Sequence, residues 1–187
     1  MKVLENDLLS KRGVCMKKYF VLIILLVVSG CSNPTTTIED YPSSSISGYV
    51  TALQEGKFLV VSESPKSKDA HNNEIFDAIW FSSEESEDVE IGDYLHVWSG
   101  ASFLSYPGQA TATKFVIEEQ ERQRTNLTKK EVIQKAIIEL DKLTEEHYFS
   151  PILTKIQYEK QKDSWNISFE NINLNKPYLT IHIKDSK

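Results

Sequence analysis

Residues 46–62 of this chain read ISGYVTALQEGKFLVVS. Two runs rich in strand-forming residues, 46–53 and 58–62, flank a turn at 54–57. Gly56 in that turn can adopt the positive φ that a tight chain reversal requires. The stretch therefore predicts a β-hairpin.

Three further strands are predicted downstream of this hairpin, at 75–82, 94–98 and 110–117. A polar loop is expected at 65–73 and an acidic loop at 84–88, and Gly92 with Asp93 forms a turn before the fourth strand. Five short strands without helical periodicity predict a small OB-like β-barrel over residues 46–119. A small sandwich is the alternative.

The C-terminal part, residues 125–187, begins with a helix start signal. Thr128 and Glu131 have the spacing of a capping box, and the helix is expected to continue to Leu143. Its apolar stripe contains Val132, Ile133, Ala136, Ile137, Leu140 and Leu143. Strands at 153–160, 165–169 and 178–184 follow, which predicts a helix plus a three-stranded antiparallel sheet and an α+β fold for the chain.

The N-terminal segment has the features of a secretory signal. Two lysines, Lys17 and Lys18, precede an apolar run at 19–28 that is too short to span a bilayer. The run ends in Val28-Ser29-Gly30-Cys31, which resembles the lipobox of bacterial lipoprotein precursors. That resemblance implies a signal peptide at 16–30 and a diacylglyceryl group, with its palmitate-type chains, on Cys31.

The residues on either side of this signal are expected to be unstructured or absent from the product. Glu5 and Asp7 do not suit a signal peptide, so we interpret residues 1–15 as an annotation extension, with a start at Met1 or Met16 left open. Residues 31–45 are rich in Ser, Thr and Pro, which predicts a disordered tether between lipid and fold.

Several motifs of the predicted barrel resemble a known family. The Gly48-Tyr49-Val50 opening, Ile91-Gly92-Asp93 and Ser105-Tyr106-Pro107-Gly108-Gln109-Ala110 are similar to the YobA-like family of small lipoproteins from bacilli. The resemblance covers residues 46–119 and is to a domain of unknown function. It implies a small β-barrel and a Gram-positive cell envelope, and it supplies neither an activity nor catalytic residues.

Charge and composition limit the classes of function. Residues 1–30 carry five Lys/Arg and two Asp/Glu in a chain of net charge −6, which leaves −9 on the remainder, so nucleic acid is not an expected partner. Both cysteines lie outside the predicted fold, and the histidines at 71, 96, 147 and 182 lack metal-ligand spacing. We expect neither a metal nor another cofactor.

Catalysis is not expected either. Ser99 to Ser102 lacks the Gly-x-Ser-x-Gly pattern of a nucleophile elbow, and no other catalytic set is visible in the sequence. The candidate ligand-binding residues are Trp98, Tyr106 and Gln109, since aromatic and amide groups on a loop at a barrel end are typical of recognition surfaces. The alternative is that Tyr106 and Pro107 form a structural turn that plugs the barrel mouth.

These features together favour a lipid-anchored protein on the extracytoplasmic face of the cell membrane. We expect it to be a non-catalytic module of the cell envelope that binds or modulates another protein. The first alternative is a binder of a small ligand or wall polymer through the barrel mouth, and the second is an envelope hydrolase.

The Cys31→Ala variant tests the anchor. We expect it to incorporate no labelled palmitate and to leave the membrane fraction, because the thiol that carries the lipid is gone. Fractionation and metabolic labelling of cells measure this, with Cys15→Ala as the matched control. A Cys31→Ala protein that is labelled and membrane-bound like the wild type contradicts the lipobox interpretation.

Overall fold

The structure is a computed structural model that describes residues 45–102, 105–120, 124–143, 150–170 and 178–186. The predicted signal peptide, Cys31, nearly all of the predicted tether and His147 lie outside these ranges. Residues 42–187 cluster as one compact unit, so the predicted barrel and the α+β part are described together below.

Five strands form a closed barrel, as the sequence predicts. They are β1 (Ile46–Gln54), β2 (Lys57–Lys68), β3 (Glu74–Ser82), β4 (Tyr94–Ser99) and β5 (Gly108–Glu118). Their order is β1-β2-β3-β5-β4, with β4 pairing back onto β1 and β5 running parallel to β3. The OB-like prediction is confirmed, with one parallel pair in an otherwise antiparallel barrel.

Strand β2 is longer than expected. The predicted loop at 65–73 is wrong over its first four residues, because Pro65 pairs with Phe76 and the strand ends only at Lys68. The ladder shifts register on both sides of Pro65, and such irregularities accommodate a residue that lacks a backbone donor. The remaining loop is closed by Asp69, whose carboxylate accepts from the backbone N–H of His71 and Asn73 at 2.8 Å each.

Apolar side chains fill the barrel interior. The ring of Phe58 lies 5.9 Å from that of Phe81 and 5.3 Å from that of Phe115 between ring centroids. The other buried members of this cluster are Ile46, Val50, Val60, Val89, Leu95, Val97 and Ala110. The barrel therefore holds a side-chain core of its own.

The remaining elements are α1 (Lys129–Leu143), β6 (Ile152–Glu159), β7 (Ser164–Glu170) and β8 (Tyr178–Lys184). The predicted capping box is confirmed: Thr128 N–H donates to Glu131 Oε2 at 2.7 Å, and Glu131 N–H donates to Thr128 Oγ1 at 3.2 Å. The three strands form an antiparallel sheet in the order β6-β7-β8, again as predicted.

One member of the predicted helix stripe is not buried. Leu143 is 64% exposed, whereas the five others have less than a tenth of their surface exposed. Ile138, which lies off that stripe, is also exposed, at 55%. Two apolar side chains of α1 are thus open to solvent.

A second core joins the barrel to the α+β part. The outward-facing side chains of β2 and β3, among them Leu59, Val61, Phe76 and Ala78, are buried in one cluster with residues of the helix and the second sheet. Their partners there are Leu127, Val132, Ile133, Ala136, Ile137, Leu140, Ile152, Leu153, Trp165, Ile167, Phe169, Ile181 and Ile183. The two sheets therefore share apolar burial on one side of the barrel.

Charged groups fix the start of α1 on the barrel. Lys130 Nζ lies 2.7 Å from Asp93 Oδ1 and 2.6 Å from Glu90 Oε2. Gly92 lies directly beneath, with φ of +88°, and a Cβ on it would be 2.7 Å from the backbone oxygen of Lys130. Only glycine permits both this backbone conformation and this close approach.

The neighbouring Lys129 makes a second attachment. Its Nζ donates to Tyr49 Oη and to Glu63 Oε1, both at 2.9 Å. Burial raises the pKa of Tyr49 to about 12, a rise that the lysine only partly offsets, so the phenol is neutral at physiological pH. The helix is thereby positioned against β1 and β2.

A buried carboxylate connects the chain end to the entry of α1. Asp185 accepts from the backbone N–H of Asn126 at 2.7 Å, from that of Leu127 at 2.9 Å and from Trp165 Nε1 at 3.1 Å. Burial acts to raise the pKa of Asp185, but these hydrogen bonds outweigh it and hold the pKa below its usual value.

We expect Asp185→Asn to destabilise the fold by about 2–3 kcal/mol, because an amide cannot accept all three hydrogen bonds as a carboxylate does. Since the pKa is lower in the folded state, the stabilisation from Asp185 is complete above about pH 5 and is lost as the pH falls below about 4. Urea unfolding between pH 3 and 7 measures both effects. Asp141→Asn, on the exposed face of α1, is the matched control, and equal losses in the two variants would contradict this role.

Candidate functional site

The three residues predicted to bind a ligand do not form one site. Trp98 pairs with Lys114 across β4 and β5, and the lysine Nζ lies 5.9 Å from the centroid of the indole ring. Gln109 pairs instead with Trp80 of β3. Residues 109 and 114 are separated by about 16 Å along a strand, so Trp98 and Gln109 lie on different parts of the barrel.

Tyr106 extends from the β4–β5 connection towards the second sheet. Its hydroxyl donates to the backbone oxygen of Phe76 at 3.3 Å and lies 3.5 Å from Glu170 Oε2 of β7. Burial, and then the negative charge of Glu170, raise the pKa of Tyr106, so the phenol remains a neutral donor. The side chain is 46% exposed and bridges barrel and sheet.

Gln109 lies at a shallow hollow beside the end of the barrel. The hollow has a volume of about 350 Å³ and is lined by small and hydroxyl side chains together with this amide. The lining residues are Ser82, Gly100, Ala101, Gln109, Ala110, Thr111 and Thr113. Its size is at the lower end of the range for small-molecule sites.

A hydrogen-bonded chain that the sequence did not reveal crosses the seam where the barrel closes. His96 Nε2 lies 2.6 Å from Glu118 Oε2, and His96 Nδ1 lies 2.8 Å from Ser47 Oγ. The Glu118 carboxylate accepts from Nε2–H, and Nδ1 and Ser47 Oγ share the second hydrogen bond. Ser47 and Glu118 are both distant from His96 in the sequence. The register of β1 on β4, which pairs Ser47 with His96, brings these two residues together.

The order serine, histidine, carboxylate is also that of a hydrolytic triad. In this chain the three residues lie on adjacent strands β1, β4 and β5, and the ring of Tyr94 packs edge-on against His96 at 5.5 Å. A triad additionally needs donors aimed at the developing oxyanion. The arrangement seen here ties together the three strands at which the barrel closes.

Comparison with known proteins identifies one part of the chain. Residues 47–119 match the family model of DUF3221, a protein of unknown function. The matched range contains all of the barrel strands β1 to β5 except Ile46, and includes Trp98, Tyr106 and Gln109. No curated protein and no solved structure matches the chain.

A surface depression of the described residues lies outside the DUF3221 match, between α1 and β8. This α1–β8 groove has a volume of about 610 Å³. Its lining combines exposed side chains of the helix, both apolar and charged, with the outermost strand of the second sheet, and consists of Lys135, Ile138, Glu139, Leu143, Thr180, Ile181, His182, Ile183, Lys184 and Ser186. In the sequence, the α1–β8 groove is indicated by Ile138, an apolar residue outside the buried stripe.

Some charged side chains around the α1–β8 groove form ion pairs and others do not. Glu139 is paired with Lys142 at 2.8 Å. Lys135 and Lys184 are exposed, and neither has an ion-pair partner among the described residues. The groove therefore has positive charge available on an otherwise acidic chain.

The described ranges contain no group of three or more His, Cys, Asp or Glu side chains placed to hold a metal ion. The helix within these ranges does not have the length and apolar character needed to cross a bilayer.

Tyr106→Phe and Gln109→Ala separate structural support from ligand contact. We expect Tyr106→Phe to lower the free energy of unfolding by about 1 kcal/mol, because it removes a donor that joins barrel and sheet. Gln109→Ala should change stability by less than about 0.5 kcal/mol, since its side chain is exposed. Urea unfolding compares them, and a larger loss for Gln109→Ala would contradict this assignment.

Proposed function

We propose that this chain is an extracytoplasmic lipoprotein, held on the cell membrane by lipid on Cys31, whose folded part binds another protein of the envelope without catalysing a reaction. The α1–β8 groove carries the proposal. It combines exposed apolar side chains, an outermost strand and unmatched positive charge in a depression of about 610 Å³. The lipobox at 28–31 and the resemblance of the barrel to YobA-like lipoproteins support the location.

The physical argument for protein recognition rests on the exposed apolar surface. Ile138 and Leu143 are five residues apart on α1, about 140° apart around the helix axis, and more than half of each residue is exposed. Water contact with such a surface is unfavourable by roughly 25 cal/mol per Å², so a partner that covers it gains affinity. Sheet edges and helix grooves are the surfaces that peptide-binding modules use.

A second candidate function is a small ligand or wall polymer at the barrel end. The hollow beside Gln109 favours it, since hydroxyl and amide groups there could hydrogen-bond a sugar or peptide. Loss of such binding in Gln109→Ala at unchanged stability would favour this candidate over the α1–β8 groove.

Site-specific photo-crosslinking in intact cells tests the main proposal. We expect Ile138→p-benzoylphenylalanine to give a discrete crosslinked product, and the additional substitution Leu143→Glu to abolish it by placing a charge in the groove. The matched control is Ile117→p-benzoylphenylalanine, at an isoleucine of the barrel that is 41% exposed. Absence of a product at position 138, or the same product at both positions, would contradict the proposal.

A further inference from the structure

The hydrogen bonds between β7 and β8 show which main-chain groups of β8 face the α1–β8 groove. Asp185 N–H donates to Asp163 O at 3.0 Å, just beyond the pair Ser164 and Lys184. In an antiparallel ladder, hydrogen-bonded and non-hydrogen-bonded pairs alternate, so the residues of β8 that exchange hydrogen bonds with β7 are Leu179, Ile181 and Ile183.

The main-chain groups of the intervening residues point the other way. The N–H groups of Thr180, His182 and Lys184 and the C=O groups of Thr180 and His182 are directed to the outer edge of the sheet, where no described strand pairs with them. The C=O of Lys184 accepts from Ser186 N–H at 2.9 Å. Unpaired edges of this kind accept an added strand. The exposed residues of α1 lie beside this edge in the same groove.

Charge indicates what the added strand contains. Lys184 shares the exposed face of the second sheet with Thr180 and His182, whereas Lys135 belongs to α1 on the other side of the α1–β8 groove. Neither lysine has an ion-pair partner within the part of the chain that the structure describes. Alternate side chains of an added strand point to opposite faces, so those on the exposed face would lie beside Lys184, which favours carboxylates there.

A second copy of this chain is a poorer occupant. Strand β8 itself contains no Asp or Glu, so pairing it with β8 of another copy would leave Lys184 without a carboxylate beside it. An acidic partner supplies one.

We propose that an extended segment of a partner protein, alternating apolar with acidic residues, adds as a fourth strand to the edge of β8. The inference rests on the proposed function and specifies its mode of recognition. Strand β8 has seven residues, so a segment of about six or seven residues, roughly 20 Å long, would pair along it. Main-chain hydrogen bonds supply affinity, while Ile138 and Leu143 contact its apolar side chains.

The experiment uses residues 32–187, which include the whole compact unit 42–187, and a fluorescein-labelled nonapeptide that alternates valine with glutamate. Two N-methylated isomers of this peptide are compared. One carries methyl groups on the amides of one edge of the extended peptide, and the other carries them on the amides of the opposite edge. We expect saturable binding of the parent peptide by fluorescence anisotropy. One isomer should bind at least about a hundredfold more weakly, and the other within about threefold of the parent, because only one edge donates to β8.

Charge variants test the second half of the proposal. Lys184→Glu should weaken binding by about fivefold and Lys135→Glu by less, because the acidic side chains lie on the face of Lys184, and a peptide with lysine in place of glutamate should bind Lys184→Glu better than the wild type. Lys57→Glu, at an exposed lysine on the barrel, is the matched control and should bind like the wild type. Equal effects of all three variants would overturn the assignment of the acidic residues to the groove.

The remaining outcomes separate this inference from the proposed function. Equal binding of both N-methyl isomers overturns strand addition, while a crosslink at position 138 in cells would still support a protein partner. If no peptide binds while the crosslink at position 138 still forms in cells, the proposal of an acidic, extended segment is overturned and the proposed function is not. A dimer by sedimentation that Lys184→Glu alters would assign the edge to a second copy and overturn the inference.

Discussion

Burial of the outer face of β2 and β3 is the constraint on which the rest of this structure depends. Phe58 and Val60 point into the barrel, while Leu59 and Val61 point out of it, yet all four have at most 1% of their surface exposed. Each such side chain contributes about 1.5–3 kcal/mol when removed from water. A barrel without the α+β part would expose this outer face, so the two parts stabilise each other.

The same burial decides where a ligand can bind. OB-folds commonly bind oligonucleotides and oligosaccharides on the face of strands 2 and 3. Here Leu59, Val61 and Phe76 on that face are covered by the chain's own helix and second sheet. Among the described residues, the end of the barrel beside Gln109 and the α1–β8 groove are surfaces that stay open.

Local rules predicted much of the fold because the sequence follows them closely. The turn at Gly56, the capping box of Thr128 and Glu131, and the alternation of Trp165, Ile167 and Phe169 all appear in the structure as expected. The extension of β2 through Pro65 was missed because proline normally argues against a strand, and a register shift in the ladder accommodates it.

Sites that depend on distant pairings were not predictable in the same way. Ser47 and His96 are separated by 49 positions, and only the register of β1 on β4 makes them neighbours. Leu143 fits the helical period of the buried stripe, but the core that covers that stripe does not extend over the last turn of the helix. The helical period gives only the direction in which a side chain points, whereas burial of that side chain requires other residues that cover it.

The position of α1 links these observations. Its first turn is fixed to the barrel by Lys129 and Lys130, and its buried stripe rests on the shared core. The remaining flank, with Ile138, therefore has a defined orientation beside β8 rather than being a loosely placed apolar surface. A rigid wall next to an open strand edge recognises main-chain geometry, alternation and charge more than a particular sequence. In the function proposed above, that form of recognition permits partners that share a segment type without sharing a fold.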